Sequence, residues 1–475
     1  MTPLPNTANR LALGLMAARS ISYEEAVQEL ERLTLRLVCD IRILQSAAVQ
    51  AAFITAVNCG KRAFLGGLQI EMPENIPLLL PWPRQTTLNG VVEELMSGGV
   101  LSARNPTQTI YFGFSPANPQ KHSLTVNATG WRGGVEPSSA NSRFDINADA
   151  DFALGGVFAG GLAVHRGFLR ATTISVFACD ESAGLSLWDQ GADWLAASSE
   201  GPALRALPES LWMLGLGHLG QAFLWLLSLL PFAKPSQFEV MLQDFDRIED
   251  ANVGSGLLCS QRDIGQFKTR VCARWLEARG FRTKMCERAF DENTRRTPNE
   301  PRIALCGFDK PEPRRQLENA DFSKIIECGL GGGIQDFDLI HIHTFPAQQR
   351  AAVIWEDGST PMERPNQKIA QALASPGEVC GALAIETAGK AVSTSFIGAI
   401  ASSAVFAELL RQYHRGGQRH HEIFLSPRFL ADCAFVRTAE VFRASEAAEW
   451  GFCGVAGRSS RFPPSSQEPI CAPLG

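Results

Sequence analysis

No two of the twelve cysteines form a Cys-x-x-Cys pair, so a structural zinc site of the usual spacing is not expected. Twelve thiols in 475 residues is also far below the density of a disulfide scaffold. Scattered thiols suit a reducing compartment, and a cytoplasmic setting is the expectation. Positive charge is not in excess. Lys plus Arg is 44 and Asp plus Glu is 49, a formal net charge of −5. A nucleic-acid binder carries the opposite sign, so no nucleic-acid partner is expected. Long apolar runs are scarce, and residues 1–20 hold no continuous apolar core of signal-peptide type. Only 211–232 and 391–410 approach a membrane span. The first is interrupted by Gly-Leu-Gly-His-Leu-Gly, and the second carries many small and hydroxylated residues and Glu408, so no membrane role is expected. The remaining composition is ordinary for a globular protein, 45% hydrophobic and 20% charged. The length allows about three domains.

Along the chain, residues 1–20 read as polar and irregular, and 21–32 as a helix with an acidic first turn. Strand, helix and strand come next at 35–39, 46–64 and 66–72. A helix near 87–97, strands at 109–114 and 123–130, a small-residue helix at 153–170 and a strand at 171–178 complete the first half. Residues 194–208 read as a linker. From Ser210 the order begins again: strand 211–215, helix 218–230, strand 238–246, helix 266–279, strands 302–309, 324–333 and 341–346, and a small-residue helix at 393–412. TIYFGFS (109–115) stands opposite RIALCGFD (302–309), and VNATGWRGGV (126–135) opposite IECGLGGGI (326–334). Strands alternating with helices predict an α/β fold with mainly parallel sheets. The repeat predicts two tandem Rossmann-like lobes, 1–193 and 209–444, with a mobile Ser/Pro/Gly-rich tail at 445–475.

The chemistry concentrates in the second half. Gly215-Leu-Gly217-His-Leu-Gly220 comes after a strand and opens a helix, the context of a nucleotide turn. Glycines let the backbone approach phosphate, and the helix N-terminus favours an anion. The next strand ends in Asp244-Phe-Asp246, where an acidic residue commonly holds ribose hydroxyls, a feature that dehydrogenases share. The residues beyond that strand are more specific: Glu249-x-x-Asn252, then Asp263-Ile-Gly265-x-x-Lys268 before a helix, then Asp309 at a strand tip. In this combination the segment 210–412 resembles the ThiF-like superfamily of ubiquitin-like-protein activating enzymes.

That resemblance implies ATP-dependent adenylation of the C-terminus of a ubiquitin-like protein. Asp309 would hold Mg²⁺, Lys268 would meet the phosphates, Asp244 with Asp246 the ribose, and Asn252 would lie near the phosphates. One departure stands out. The Arg-Gln pair usual a few residues after the asparagine is replaced by Ser255 and Gly256. Arg314 or Arg315 would substitute, or Arg10 or Arg19 crossing from the other half. Members of the family also carry a thioester cysteine in a crossover segment before the last small-residue helix. Cys380, in the segment near 360–392, fits by position, with Cys259 second. The first half has Cys39-Asp-Ile in place of the glycine turn and Ser115 in place of Asp309, so it resembles the inactive lobe of two-lobed members. The arrangement implies a pseudo-dimer within one chain, admits a homodimer of chains, and implies a ubiquitin-like protein and a conjugating-enzyme-like protein as partners, as in bacterial antiphage operons. Two alternatives stand beside it: adenylation alone, as in sulfur-carrier or peptide activation, and a Rossmann oxidoreductase or binding scaffold. The eight histidines show no metal-ligand spacing. His341-Ile-His343 puts two imidazoles on one strand face, a pattern read as structural.

Overall fold

The computed structural model describes residues 9–19, 21–145, 150–331, 337–356, 393–414, 420–430, 433–437 and 451–456. Helices α1 (Arg10–Arg19) and α2 (Tyr23–Leu30) precede the first sheet. The irregular reading of 1–20 is corrected by α1. Asn9 Oδ1 accepts from the amides of Leu11 (2.9 Å) and Ala12 (3.2 Å), capping α1, and Leu11, Ala12 and Leu15 are buried along one face.

The first sheet contains β1 (Leu35–Cys39), β2 (Leu68–Glu71), β3 (Gln108–Phe112), β4 (Leu124–Ala128), β5 (Arg132–Pro137) and β6 (Ala183–Ser186). Their spatial order is β2-β1-β3-β4-β5-β6, parallel through β4 and antiparallel beyond. Helices α3 (Ala47–Ala63), α4 (Leu88–Met96) and α5 (Ala153–Ala171) belong to this half. The strand expected at 171–178 does not form. The Thr172 hydroxyl bonds back to the Phe168 carbonyl at 2.7 Å, Thr173 takes a φ of 54°, and Val176 and Phe177 are left exposed.

A short strand β7 (Ala206–Pro208) leads into the second sheet. That sheet contains β8 (Ser210–Leu214), β9 (Glu239–Gln243), β10 (Arg282–Cys286), β11 (Ile303–Cys306), β12 (Lys324–Leu330), β13 (Ile340–Phe345), β14 (His420–Leu425) and β15 (Ala434–Arg437), in the order β10-β9-β8-β11-β12-β13-β14-β15. It is parallel from β10 to β12 and antiparallel after that. Its helices are α6 (His218–Leu229), α7 (Asp250–Val253), α8 (Lys268–Glu277), α9 (Pro311–Arg315), α10 (Ala351–Ile354) and α11 (Ser395–Arg411). Strands β9-β8-β11-β12-β13-β14 repeat the order of the first sheet, with β10 and β15 added at the edges. The α/β class with mostly parallel sheets is therefore observed. Strand β16 (Phe452–Gly454), inside the segment read as a mobile tail, pairs antiparallel with β7, inside the segment read as a linker. Both segments are thus tied down in part.

The two halves share one core. Helix α3 packs on α5, α5 on α11, and α11 on α6. Small residues make this possible: a β-carbon at Gly160 would lie 2.4 Å from the Ala52 carbonyl oxygen on α3. Trp82 of the first half meets Trp225 and Trp275 of the second at centroid distances of 5.8 and 5.7 Å. The Trp225 indole N–H donates to the Thr55 hydroxyl at 3.0 Å, so this shared core is both apolar and hydrogen-bonded. No helix among the described residues is long and apolar enough to cross a membrane.

Candidate active site

Strand β8 runs into a turn that only glycines permit. Gly215 has a φ of 80°, and a β-carbon at Gly220 would sit 2.1 Å from the Gly215 carbonyl oxygen. Gly217 is the N-cap of α6, whose N-terminus therefore opens at the C-terminal ends of β8, β9 and β11. The chain passes from β8 outward to β9, and later returns to β8's other side as β11, so the turn lies at the topological switch point.

Asp244 stands just beyond β9. Its carboxylate accepts from the Leu216 amide at 2.6 Å and the Asp246 amide at 2.8 Å, tying the acidic strand end to the glycine turn. Burial raises its pKa, against the lowering pull of Lys268 and the two amides. Lys268, the first residue of α8, donates to Asp246 Oδ2 at 2.8 Å. Burial alone would lower the ammonium pKa, but Asp244, Asp246 and Asp309 outweigh it and hold it above the ordinary value. Asp309 is exposed on the loop after β11 and acts electrostatically on both Lys268 and His218. The β8–α6 turn, the end of β9, the start of α8 and the loop after β11 thus come together at one sheet end.

Arg10, at the N-terminus of α1, lies close enough to act electrostatically on His218. Burial lowers its pKa, Glu249 raises it, and its charge lowers that of His218. The other arginines considered are engaged elsewhere. Arg314 donates to the Phe308 carbonyl at 3.0 Å and pairs with Glu327 at 3.1 Å. Arg315 bonds the Trp355 carbonyl, and Arg19 pairs with Glu29. Asn252 uses its Oδ1 to cap α7 at the Glu249 amide, 2.8 Å away. Cys380 lies outside the described residues. Cys259 is only 2% exposed, and burial raises its thiol pKa. Burial pushes Cys39 and Cys59 up to about 12, so these are poor nucleophiles.

Two features were not legible in the sequence. Arg62, on α3 of the first half, crosses to the loop that holds Ser255 and Gly256. It donates to the carbonyls of Gly256 (2.9 Å) and Cys259 (3.1 Å), while Asn58 donates to that of Leu257 (3.0 Å). No spacing rule connects residues nearly two hundred apart, although Asn58 and Arg62 at i and i+4 on a largely buried helix were a signal. The second feature is Glu422, which comes from the neighbouring strand to stand beside His341 and His343, the pair read as structural. A cavity of about 360 Å³ lined by Gln108, Gln120, His122 and Arg170 lies in the first half and contains none of the expected site residues.

His218 opens α6 with an imidazole whose pKa burial lowers to about 4, Asp309 opposing and Arg10 and Lys268 assisting. An unfolded histidine titrates near 6.5. Between about 6.5 and about 4 the unfolded chain takes up a proton that the folded chain refuses, so stability falls as pH drops through that window. His218→Gln is expected to flatten the pH dependence of the denaturant midpoint there. An unchanged slope would mean that the folded imidazole protonates freely.

The model of the BilD N-terminal domain matches residues 34–187, and that of the BilD C-terminal domain residues 207–416. The "Bacterial E1-like protein BilD" of Collimonas sp. (strain OK412) is 36% identical over 434 residues, covering 90% of this chain and 93% of that protein. Crystal structures of E. coli MccB share less. With MccA-N7isoASN the identity is 15% and the TM-score 0.33, covering 50% of this chain and 67% of that one. With succinimide the values are 16% and 0.31, covering 49% and 63%. Scores this low carry no argument about this chain. The sequence match and the two-sheet architecture with its glycine turn together define a bacterial E1-like protein. The chain belongs to the BilD family.

Proposed function

We propose that this protein adenylates the C-terminal carboxylate of a ubiquitin-like protein with ATP, takes the product onto Cys380 as a thioester and passes it to a conjugating-enzyme-like partner. The reading rests on one observation above all: Lys268, Asp244, Asp246, Asp309 and Arg10 gather at the glycine turn that opens α6. The backbone amides of that turn and the helix N-terminus would receive phosphate. Lys268 and Arg10 would meet the charge that develops as the substrate carboxylate oxygen attacks the α-phosphorus and pyrophosphate leaves. Asp244 would exchange its backbone amide partners for ribose hydroxyls.

Asp309, an exposed carboxylate beside the turn, fits Mg²⁺, which commonly binds through one or two carboxylates together with substrate phosphates. Bound there, the ion would neutralise phosphate charge. Arg10 takes the part for which Arg314 was the first candidate, because the Arg314 guanidinium already has the Phe308 carbonyl and Glu327.

The first half is proposed to be catalytically silent. Its β1 runs into Cys39-Asp40-Ile41 with no glycine, and Ser115, in the place of Asp309, shares a 2.8 Å hydrogen bond with the Thr125 hydroxyl. Its contribution is Arg10 and the support of the 254–259 loop by Arg62. The setting proposed for this chemistry is a bacterial ubiquitin-like conjugation operon acting against phage.

In the second step the Cys380 thiolate would attack the acyl carbon of the adenylate and AMP would leave. Cys380→Ala is therefore expected to keep ATP–pyrophosphate exchange and to lose the adduct with the ubiquitin-like protein that thiol reductant releases. Conjugation that continues undiminished in this variant would favour adenylation without a thioester.

A further inference from the structure

His341 and His343 lie two residues apart on β13, so their side chains share one face of the sheet. Glu422 of β14 pairs in register with His343 and stands on that face too. One ligand atom from each lies within 4.8 Å of the others. His341 Nε2 is 2.9 Å from Glu422 Oε1, and His343 Nε2 is 3.8 Å from the same oxygen. Both imidazoles therefore turn a nitrogen toward one carboxylate.

The opposite nitrogen of His343 decides between a metal site and two unrelated His–Glu pairs. His343 Nδ1 lies 3.0 Å from Glu327 Oε2 on β12, and Glu327 is held in turn by Arg314 at 3.1 Å. With its proton on Nδ1, directed at Glu327, His343 keeps a lone pair on Nε2, facing His341 and Glu422. A carboxylate behind a histidine in this way is the usual support of a metal-binding imidazole. The rings are fixed before any ion arrives. His341 stacks on Phe424 with centroids 3.9 Å apart and planes 19° apart, and His343 sits edge-on to Trp355 at 5.0 Å. The side chains of His341 and His343 are 13% and 7% exposed and that of Glu422 31%, so the group is walled on one side and reachable on the other.

We propose that His341, His343 and Glu422 form a binding site for a divalent transition metal of the zinc type, with a fourth position open to solvent. Two imidazoles and one carboxylate suit zinc, whereas Mg²⁺ prefers oxygen ligands, so this site differs in kind from the carboxylate at Asp309. Tetrahedral zinc places its ligand atoms about 3.3 Å apart, given bonds of about 2.0–2.1 Å. The two separations, 2.9 and 3.8 Å, bracket that value. Through His343, Glu327 and Arg314 the ion would be joined to the Phe308 carbonyl, next to Asp309, and would stiffen the loop that carries it.

The test uses the full chain, stripped with EDTA, reloaded with zinc chloride, freed of excess by gel filtration and measured by plasma mass spectrometry. Stoichiometric zinc is expected in the wild type and in Asp309→Asn, and its loss in His341→Ala and Glu422→Gln. Glu422→Gln keeps a hydrogen-bond acceptor for His341, and circular dichroism checks that it folds. Glu327→Gln is expected to weaken zinc binding by about 10–100-fold while leaving the three ligands in place. Cobalt substituted into the wild type is expected to give the visible bands of a tetrahedral site, absent in Glu422→Gln. A reloaded wild type without zinc, or zinc retained equally by folded His341→Ala and Glu422→Gln, would overturn the proposal.

Discussion

Replacing Lys268 with alanine, or Asp309 with asparagine, is expected to slow ATP–pyrophosphate exchange by about 10²–10³-fold. Lys268 is gripped by Asp246 at 2.8 Å and kept protonated by three carboxylates around it. Its alanine variant leaves Asp244 and Asp246 facing incoming phosphates without a compensating charge, so repulsion adds to the lost attraction. Asp309→Asn keeps the shape of the loop and removes only the anion that would hold Mg²⁺. Because Asp309 is exposed, its effect should appear in exchange and not in the unfolding midpoint. Lys268→Ala should also lose the thermal stabilisation that Mg-ATP gives the wild type. A change below threefold in both variants would place the nucleotide elsewhere.

Arg62→Ala is the second large effect, expected to cost about 3 kcal/mol of stability although Arg62 touches no proposed substrate group. Its guanidinium is buried between the halves, where it satisfies the carbonyls of Gly256 and Cys259. Without it those oxygens remain buried and unpaired by the side chain that now serves them, each at about 1–3 kcal/mol before relaxation. The loop they belong to continues from Asn252 and lies beside Asn9, which precedes Arg10. Exchange should therefore fall along with the denaturant midpoint. Arg62→Lys, which keeps the charge but not the planar fork, should recover only part of either. Normal stability in Arg62→Ala would show that the two halves hold the loop by other means.

The glycine turn was readable because its geometry is local. Gly215, Gly217 and Gly220 have fixed spacing, and Asp244 and Lys268 come at set distances along β9 and α8. The doubled order of strands was readable for a similar reason, since alternating strand and helix periods survive when identities do not. Features that depend on distant neighbours were not. Arg314, close after Asp309 in the chain, was the first candidate for a phosphate ligand, and only the fold shows it already held by Glu327 while Arg10 acts electrostatically on His218 and feels Glu249. Helix α1 was hidden because its asparagine cap and small apolar face resemble an irregular lead-in. The strand expected at 171–178 failed because Thr172 bonds back to the Phe168 carbonyl and Thr173 takes a left-handed φ, so the β-branched residues leave α5 in a turn. Glu422 could not be joined to His341 and His343 from the sequence because it arrives from a strand about eighty residues later. Cys380, the proposed thioester residue, lies outside the described residues.

Adenylation at the Gly215–Gly220 turn is the step on which the proposed function depends. Its most direct test is the incorporation of labelled pyrophosphate into ATP by the full chain, with and without the proposed ubiquitin-like partner. The expected result is incorporation that requires both the partner's free C-terminal carboxylate and magnesium and disappears in Lys268→Ala. No incorporation under those conditions, together with thermal stabilisation of the chain by NAD and none by ATP, would contradict it.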